Sequence, residues 1–581
     1  MRGLHPREAA NSARVARWPG TRRTRTIAAA VALAAIAVLA ACGSSSSTSP
    51  SANSLPAIGP QTASVATIHL VGPGTTNNIG YPTPYASNRG PGWLLTSFMF
   101  DQLTWPDSTG VQKPWLAKSW TTSADGKTWT FTLRSNATWQ DGQQLTAQDV
   151  LFSYQYDMTG PGAKLRPVPK SIAAVSAPDP QTFVITLSRV DPILLDEIGG
   201  FSGVFIVPQH IWANVTDPAH FQGQQALVGS GPYQLTSFDL SQGNYQYTAY
   251  NNFYLGKPIV QKVTLVSLPS TADPLTALTH NQVDAASAPN TGGGVTDAEL
   301  KSLQQQFPLL QARGEYNVAY HFNLASGFPY NSQQFRQAVA YAINRNSIVQ
   351  REVSGRGVPG SAGGLGPANP WLDKTLPQYN YDPAKAKSLL DSVGLKAGSG
   401  GTRTMPDGSP LAIPLLTSST DLDFAQFVKN DLAAVGLTVN IQAVDQASSD
   451  ASDAAGKYTT AVIHYGGLSA DPSTRICGTY VPATGGKPAS FAAAQGYNNA
   501  TVNSLCNQIG STLDHATRQN LANQLQQTLN TDVAVLPLYV PDQVAFVDTK
   551  AFTAWSFTPG CPPCGVSESK FMLATGKLKA S

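Results

Sequence analysis

Cysteine is the residue whose chemistry this chain announces by spacing. Cys42 closes the string Leu39-Ala40-Ala41-Cys42-Gly43. Small residues ahead of the thiol let a peptidase approach the backbone, and the cysteine left at the new N-terminus becomes the acylation site, so the string reads as a bacterial lipobox. An ordinary secretory signal with an incidental cysteine is the alternative. Cys477, Cys506, Cys561 and Cys564 remain, an even number that in an exported protein points to two disulfides. Cys561-Pro562-Pro563-Cys564 has redox-motif spacing, but no βαβ pattern surrounds it. A structural disulfide is expected there, which leaves Cys477 with Cys506; sequence alone permits three connectivities. His69, His210, His220, His280, His321, His464 and His515 are scattered without HxxxH or HExxH spacing, so no metal site is expected. No GxSxG or zincin pattern occurs, and Asp284, Asp421 and Asp471 form no recognisable pair, so an exported hydrolase is not expected.

The segment around Cys42 addresses the chain rather than folding it. Arg2, Arg7, Arg14, Arg17, Arg22, Arg23 and Arg25 form a basic n-region. Residues 27–41 are an unbroken apolar run, shorter than the ~20 residues of a spanning helix and suited to a signal-peptide h-region. The Arg22-Arg23 pair leaves the export route, general or twin-arginine, open. From Gly43 to about Ser64 the chain is small and polar, a flexible tether. Acylation at Cys42 would anchor it stably to the outer face of the cell membrane.

The body that follows must position any remaining chemistry. At ~100–200 residues per domain, 581 residues suggest three or four units. With 42% hydrophobic residues the chain is neither disordered nor a polytopic membrane protein. Seven Arg and one Glu before Cys42 carry +6 of a total +3, which leaves the body at −3. A slightly acidic body has no electrostatic footprint for nucleic acid. Residues 66–71 read as a first strand, and 128–133 alternate strictly as a half-buried one. Thr146 caps a helix over 147–157, with Asp149 in capping-box position. Further helices are expected over 335–344, 383–393, 422–434 and 517–529, and strands over 437–443 and 533–540. The class is α/β.

Several blocks in order carry a family resemblance. Pro114-Trp115-Leu116-Ala117-Lys118-Ser119-Trp120 leads through Asp125-Gly126-Lys127-Thr128-Trp129-Thr130-Phe131 to Trp139-Gln140-Asp141-Gly142. Gly229-Ser230-Gly231-Pro232-Tyr233, Tyr250-Asn251-Asn252-Phe253-Tyr254, Phe335-Arg336-Gln337-Ala338-Val339 and Leu536-Pro537-Leu538-Tyr539 follow. Over residues 66–560 the chain resembles the extracellular solute-binding proteins of family 5, receptors of ABC importers for oligopeptides, dipeptides, nickel and some sugars. The resemblance implies a two-lobed clamp of the type II periplasmic-binding kind with an extra domain in the first lobe. The implied division is signal peptide 1–41, tether 42–64, lobe 1 core 65–100 with 216–312 and 535–581, extra domain 101–215, and lobe 2 313–534. It implies binding without covalent chemistry or cofactor. The partners are a small solute, peptide or other, and an ABC permease with cytoplasmic ATPases, and the receptor is a monomer. A sensing lipoprotein would share every one of these features. Most signature residues are expected to be structural: Trp120, Trp129 and Phe131 in core, Arg336 and Asp149 holding helices to neighbouring backbone.

The resemblance also implies a cleft, and a departure within it. Peptide binders grip their ligand with an aromatic residue, small residues and an acidic residue ahead of Asp-Pro. Here that segment is His464-Tyr465-Gly466-Gly467-Leu468-Ser469-Ala470-Asp471-Pro472. The aromatic falls on Tyr465, a small residue on Gly467, and the ammonium-binding carboxylate on Leu468. An enclosed ammonium without a counter-charge is costly. The solute is then expected to lack a free amino terminus: an oligosaccharide, an opine-like compound or a metal complex. A loop shift of one or two residues would let Asp471 serve instead. On the opposite wall Asn88, Arg89 and Trp93 are the candidates, Trp93 sandwiching a planar ligand with Tyr465 or packing under its helix, and Arg89 meeting an anion.

Overall fold

The computed structural model describes residues 64–72, 80–87, 90–106, 111–200, 203–268, 274–287, 296–313, 317–367, 369–465, 471–482, 494–550, 552–553, 555–556 and 570–575. Cys42, the tether, Cys561 and Cys564 lie outside them. No helix among the described residues is long and apolar enough to cross a membrane.

Sequence pattern sets the local structure. In Thr128–Leu133 the threonines are half-buried while Trp129, Phe131 and Leu133 are buried, as a period of two requires. This strand is second in a four-stranded antiparallel sheet ordered Ala117–Thr122, Thr128–Leu133, Thr182–Leu187, Ile172–Asp179. The helix Ala147–Met158 covers it, opened by the full capping box of Thr146 and Asp149. Together they make the extra domain. Asp149 also accepts from the Gln209 N–H at 3.2 Å, and Arg336 donates to the carbonyls of Asp532 and Tyr330 at 2.9 and 3.0 Å. Both signature residues therefore hold backbone.

The two lobes share one path of strands. In lobe 1, Ile68–Val71 runs parallel to Lys262–Val266, and Asn244–Ala249 and Tyr233–Asp239 continue antiparallel. In lobe 2, Ala412–Ser418 lies between its parallel neighbours Thr438–Val444 and Thr460–Tyr465. The strand Val535–Val547 joins the two lobes. Residues 535–539 pair with Asn317–Phe322 of lobe 2, whereas 542–546 pair with Leu309–Arg313 of lobe 1. One strand thus pairs with lobe 2 along its first half and with lobe 1 along its second. The strand first completes the pairing with Asn317–Phe322 and only then pairs with Leu309–Arg313. It also runs past the expected end at 540: Asp542 accepts from Gln311 Nε2 at 2.8 Å, which lets a polar residue continue it.

The C-terminal helix Lys570–Thr575 plugs lobe 1. The Lys570 ammonium lies 2.8 Å from Asp101, both side chains fully buried. It stands over the rings of Trp105 and Trp115 at 4.2 and 5.2 Å. Asp101 also accepts from Trp115 Nε1 at 2.7 Å, Tyr254 Oη at 3.0 Å and Ser230 Oγ at 3.1 Å. A buried charge on this scale persists only when every oxygen is answered, as here.

Candidate functional site

The segment expected to line the cleft begins at the end of a lobe 2 strand. Tyr465 ends the strand Thr460–Tyr465 directly opposite Asn317, the first residue of the strand that follows the crossing. Gly467, Leu468, Asn88 and Arg89 lie outside the described residues. Trp93 is the fourth residue of the helix Gly90–Ser97. That helix is tied to the chain ahead of Asn88: Thr96 Oγ1 donates to the Gly92 carbonyl at 2.8 Å and lies 2.9 Å from Ser87 Oγ.

Asp471 closes the segment at its other end. It is the N-cap of the helix Pro472–Arg475, accepting from Ser473 N–H at 2.9 Å and Ser473 Oγ at 2.6 Å. The same oxygen accepts from Arg518 Nη2 at 2.8 Å, with only 6% of the Arg518 and 8% of the Asp471 side chain exposed. Arg518 in turn donates from Nε to the Ile509 carbonyl at 3.1 Å and stacks 5.0 Å from the Trp371 ring centre. The Asp471 charge is therefore neutralised within its own lobe. Just beyond, the disulfide Cys477–Cys506 ties Cys477–Tyr480 to Ala500–Ile509. It is the pairing left over in the cysteine arithmetic.

Two residues of this site were not singled out in the sequence. Arg518 stands on the stripe Ala522, Leu525, Leu529 of the helix His515–Asp532, where an apolar residue is expected. A charge on a buried stripe was the available signal. Asp196, on the short helix Leu194–Ile198 of the extra domain, lies within electrostatic reach of Asp471 and Arg518. Its side chain is exposed at the surface, with protein packed around part of it. Burial pushes its carboxyl up to about 6, with repulsion from Asp471 adding to this and the Gln112 hydrogen bond and Arg518 opposing. Burial and the neighbouring Asp191 push Glu197 up as well.

No catalytic constellation emerges among the described residues. Asp284 accepts from the His69 N–H at 2.6 Å, and Asp421 from Ser418 Oγ at 2.6 Å. Ser567-Glu568-Ser569-Lys570 matches an SxxK spacing, but Lys570 is the ammonium sealed onto Asp101. Nor does any group of three or more His, Cys, Asp or Glu among the described residues suit a metal ion.

Residues 112–487 match the sequence profile of the bacterial extracellular solute-binding proteins, family 5 Middle. The nickel-binding periplasmic protein of Escherichia coli (strain K12) is 26% identical over 484 residues, covering 79% of this chain and 87% of that protein. The dipeptide-binding protein of the same strain is 27% identical over 382 residues, 62% of this chain and 68% of that protein. NikA from Brucella suis, solved in complex with Fe(III)-EDTA, shares the fold at a TM-score of 0.72 and 20% identity, over 87% of this chain and 99% of that one. With the profile spanning most of the folded body and the two-lobed clamp beneath it, the chain belongs to the bacterial extracellular solute-binding proteins of family 5, receptors of ABC importers rather than enzymes.

Proposed function

We propose that the chain is the exported, lipid-anchored receptor of an ABC importer, held at Cys42 to the outer face of the membrane. As a monomer it closes on a small solute and presents the closed form to a permease with cytoplasmic ATPases. We further propose that the solute lacks a free α-ammonium group. The observation that carries this is the commitment of Asp471. Its carboxylate caps a helix and pairs with Arg518, so its charge is already matched by a cation of the protein, and Leu468 stands where the resemblance puts the ammonium-binding carboxylate. Truncating one partner of a desolvated charge pair costs roughly 2–5 kcal/mol. That corresponds to about 30-fold to several-thousand-fold in affinity. An oligosaccharide, an opine-like solute or a metal complex meets the condition. The relatives' solutes differ, a dipeptide in one and nickel in another, so membership alone does not choose.

Native mass spectrometry of the full chain extracted from its own membrane tests the solute class, and calorimetry with a library of unmodified di- and tripeptides tests the charge argument. Submicromolar binding that depends on the peptides' free amino terminus overturns it. For the anchor, Cys42→Ala is expected to move the protein out of the membrane fraction; a variant that stays detergent-dependent refutes the lipobox.

A further inference from the structure

A groove on lobe 2 draws none of its residues from the solute segment or the opposite wall. One end is a cavity of about 200 Å³, the other an adjoining, more open one of about 520 Å³, and Asn346, Asn380 and Tyr381 line both. No residue lining either cavity is a carboxylate. The helix Arg345–Glu352 starts at this groove. Asn344 caps it, accepting from the Ser347 N–H at 3.0 Å. Another orphan donor of the first turn, the Asn346 N–H, has no partner among the described residues.

Arg345 lines the smaller cavity, with only 5% of the residue exposed. Its Nη1 donates to the Gly360 carbonyl at 2.5 Å and its Nη2 to the Tyr379 carbonyl at 2.6 Å, while Nε has no partner. Carbonyl dipoles are all that answer its charge among the described residues, and burial pulls the guanidinium down to about 10. By contrast, the buried guanidiniums of Arg403 and Arg518 each hold an aspartate, at 2.6 and 2.8 Å. A buried cation without an anion is costly. Arg351, on the open side, leaves this balance unchanged, because Asp431 and Glu352 lie within its electrostatic reach. Asp431 also accepts from the Asn344 N–H at 2.8 Å. The side chains of Asn346, Ser347, Asn380 and Tyr381 make no hydrogen bond to the described residues, so their capacity is unspent.

We propose that this groove binds a phosphate group on the first turn of Arg345–Glu352. The Asn346 N–H, the Ser347 hydroxyl and the side-chain amides of Asn346 and Asn380 donate to its oxygens, and Arg345 supplies the unmatched positive charge. A helix N-terminus favours an anion by its free N–H groups and its dipole, and here a buried cation adds to both. Tyr381, 40% exposed, offers a ring to whatever the phosphate is esterified to. Soluble phosphate and a phospholipid headgroup present the same group.

Isothermal titration calorimetry of the full chain in neutral detergent, with inorganic phosphate at constant ionic strength, tests the site. The solute of the cleft does not enter. The expected result is saturable binding at one site with a dissociation constant at or below about 1 mM. Hydrogen exchange over residues 345–352 is expected to slow when phosphate is added. Asn346→Asp places an acid where a helix tolerates it best, so the fold is kept, but it sets a like charge in the seat. Its phosphate affinity is expected to fall at least about tenfold. Asn380→Asp, from the facing segment, is expected to do the same. Micelles doped with phosphatidylglycerol separate the sources: a lost phosphate heat assigns the site to a lipid headgroup, an unchanged one to soluble phosphate, and either supports it. No saturable phosphate heat in undoped micelles, unchanged affinity in either variant, or protection confined to other segments overturns the proposal.

Discussion

Lobe 1 and lobe 2 each bury a cation against an aspartate at 2.8 Å, and the two pairs are built differently. Lys570–Asp101 has no exposure at either end, a floor of two tryptophans and four donors on one carboxylate. It fastens the helix Lys570–Thr575 to lobe 1. Arg518–Asp471 keeps a few per cent of exposure and caps a short helix, and its charges are felt by Asp196 of the extra domain. A point charge suffices for the sealed pair, whereas the pair at the cleft uses a planar guanidinium that also binds the Ile509 carbonyl and stacks on Trp371. Equal distances thus conceal a rivet in one lobe and an adjustable support in the other.

The comparison breaks first at lobe 1. Lys570→Met leaves Asp101 buried without its cation and is expected to cost about 3–5 kcal/mol. Denaturant unfolding followed by hydrogen exchange in lobe 1 peptides reads it, and Lys570→Met with Asp101→Leu is expected to recover most of the loss. A wild-type midpoint for the single variant would remove the rivet from the account. Next, Cys477→Ser with Cys506→Ser opens a loop with a sequence separation of 29. The chain-entropy estimate is about 3–4 kcal/mol, seen as lost protection in lobe 2 only. Loss spreading to lobe 1 would mean the lobes do not respond separately.

Arg518→Leu is expected to cost about 2 kcal/mol, discounted because its pair reaches the edge of solvent. The loss should concentrate in residues 471–482, and Arg518→Lys should recover only part of it. Full recovery by lysine would make the two pairs alike after all. The smallest effect sets the scale for a purely local contact: Thr146→Ala is expected to cost about 1 kcal/mol through its cap, in a helix of the extra domain that serves neither pair.

Local structure was legible because its causes are local. Asp382 caps Pro383–Ser392 and Gly394 follows at φ +84°, as turn and cap residues predict. The expected helix over 335–344 is Gln333–Ala342, and Asn344 instead caps a further helix, Arg345–Glu352. What escaped the sequence is long-range. Lys570 meets a partner 469 residues away, and nothing near either residue records the other. Asp196 looks like one acid in an exposed turn until lobe 2 is set against it. The Asp471 carboxylate could be placed in the cleft segment by pattern, but its commitment to Arg518 depends on a helix 47 positions later.

The shared strand Val535–Val547 also fixes when the protein becomes a protein. A chain leaving the ribosome N-terminus first has neither sheet complete until this strand arrives, since it supplies the partner of Asn317–Phe322 in one lobe and of Leu309–Arg313 in the other. Lobe 1 then still waits for Lys570. The strand starts only at Val535, so the whole of the chain before it must be in hand before either half can finish. Contacts of such separation form slowly. Delay of this kind would suit the general export route, in which a polypeptide is threaded unfolded and compacts only on the far side of the membrane.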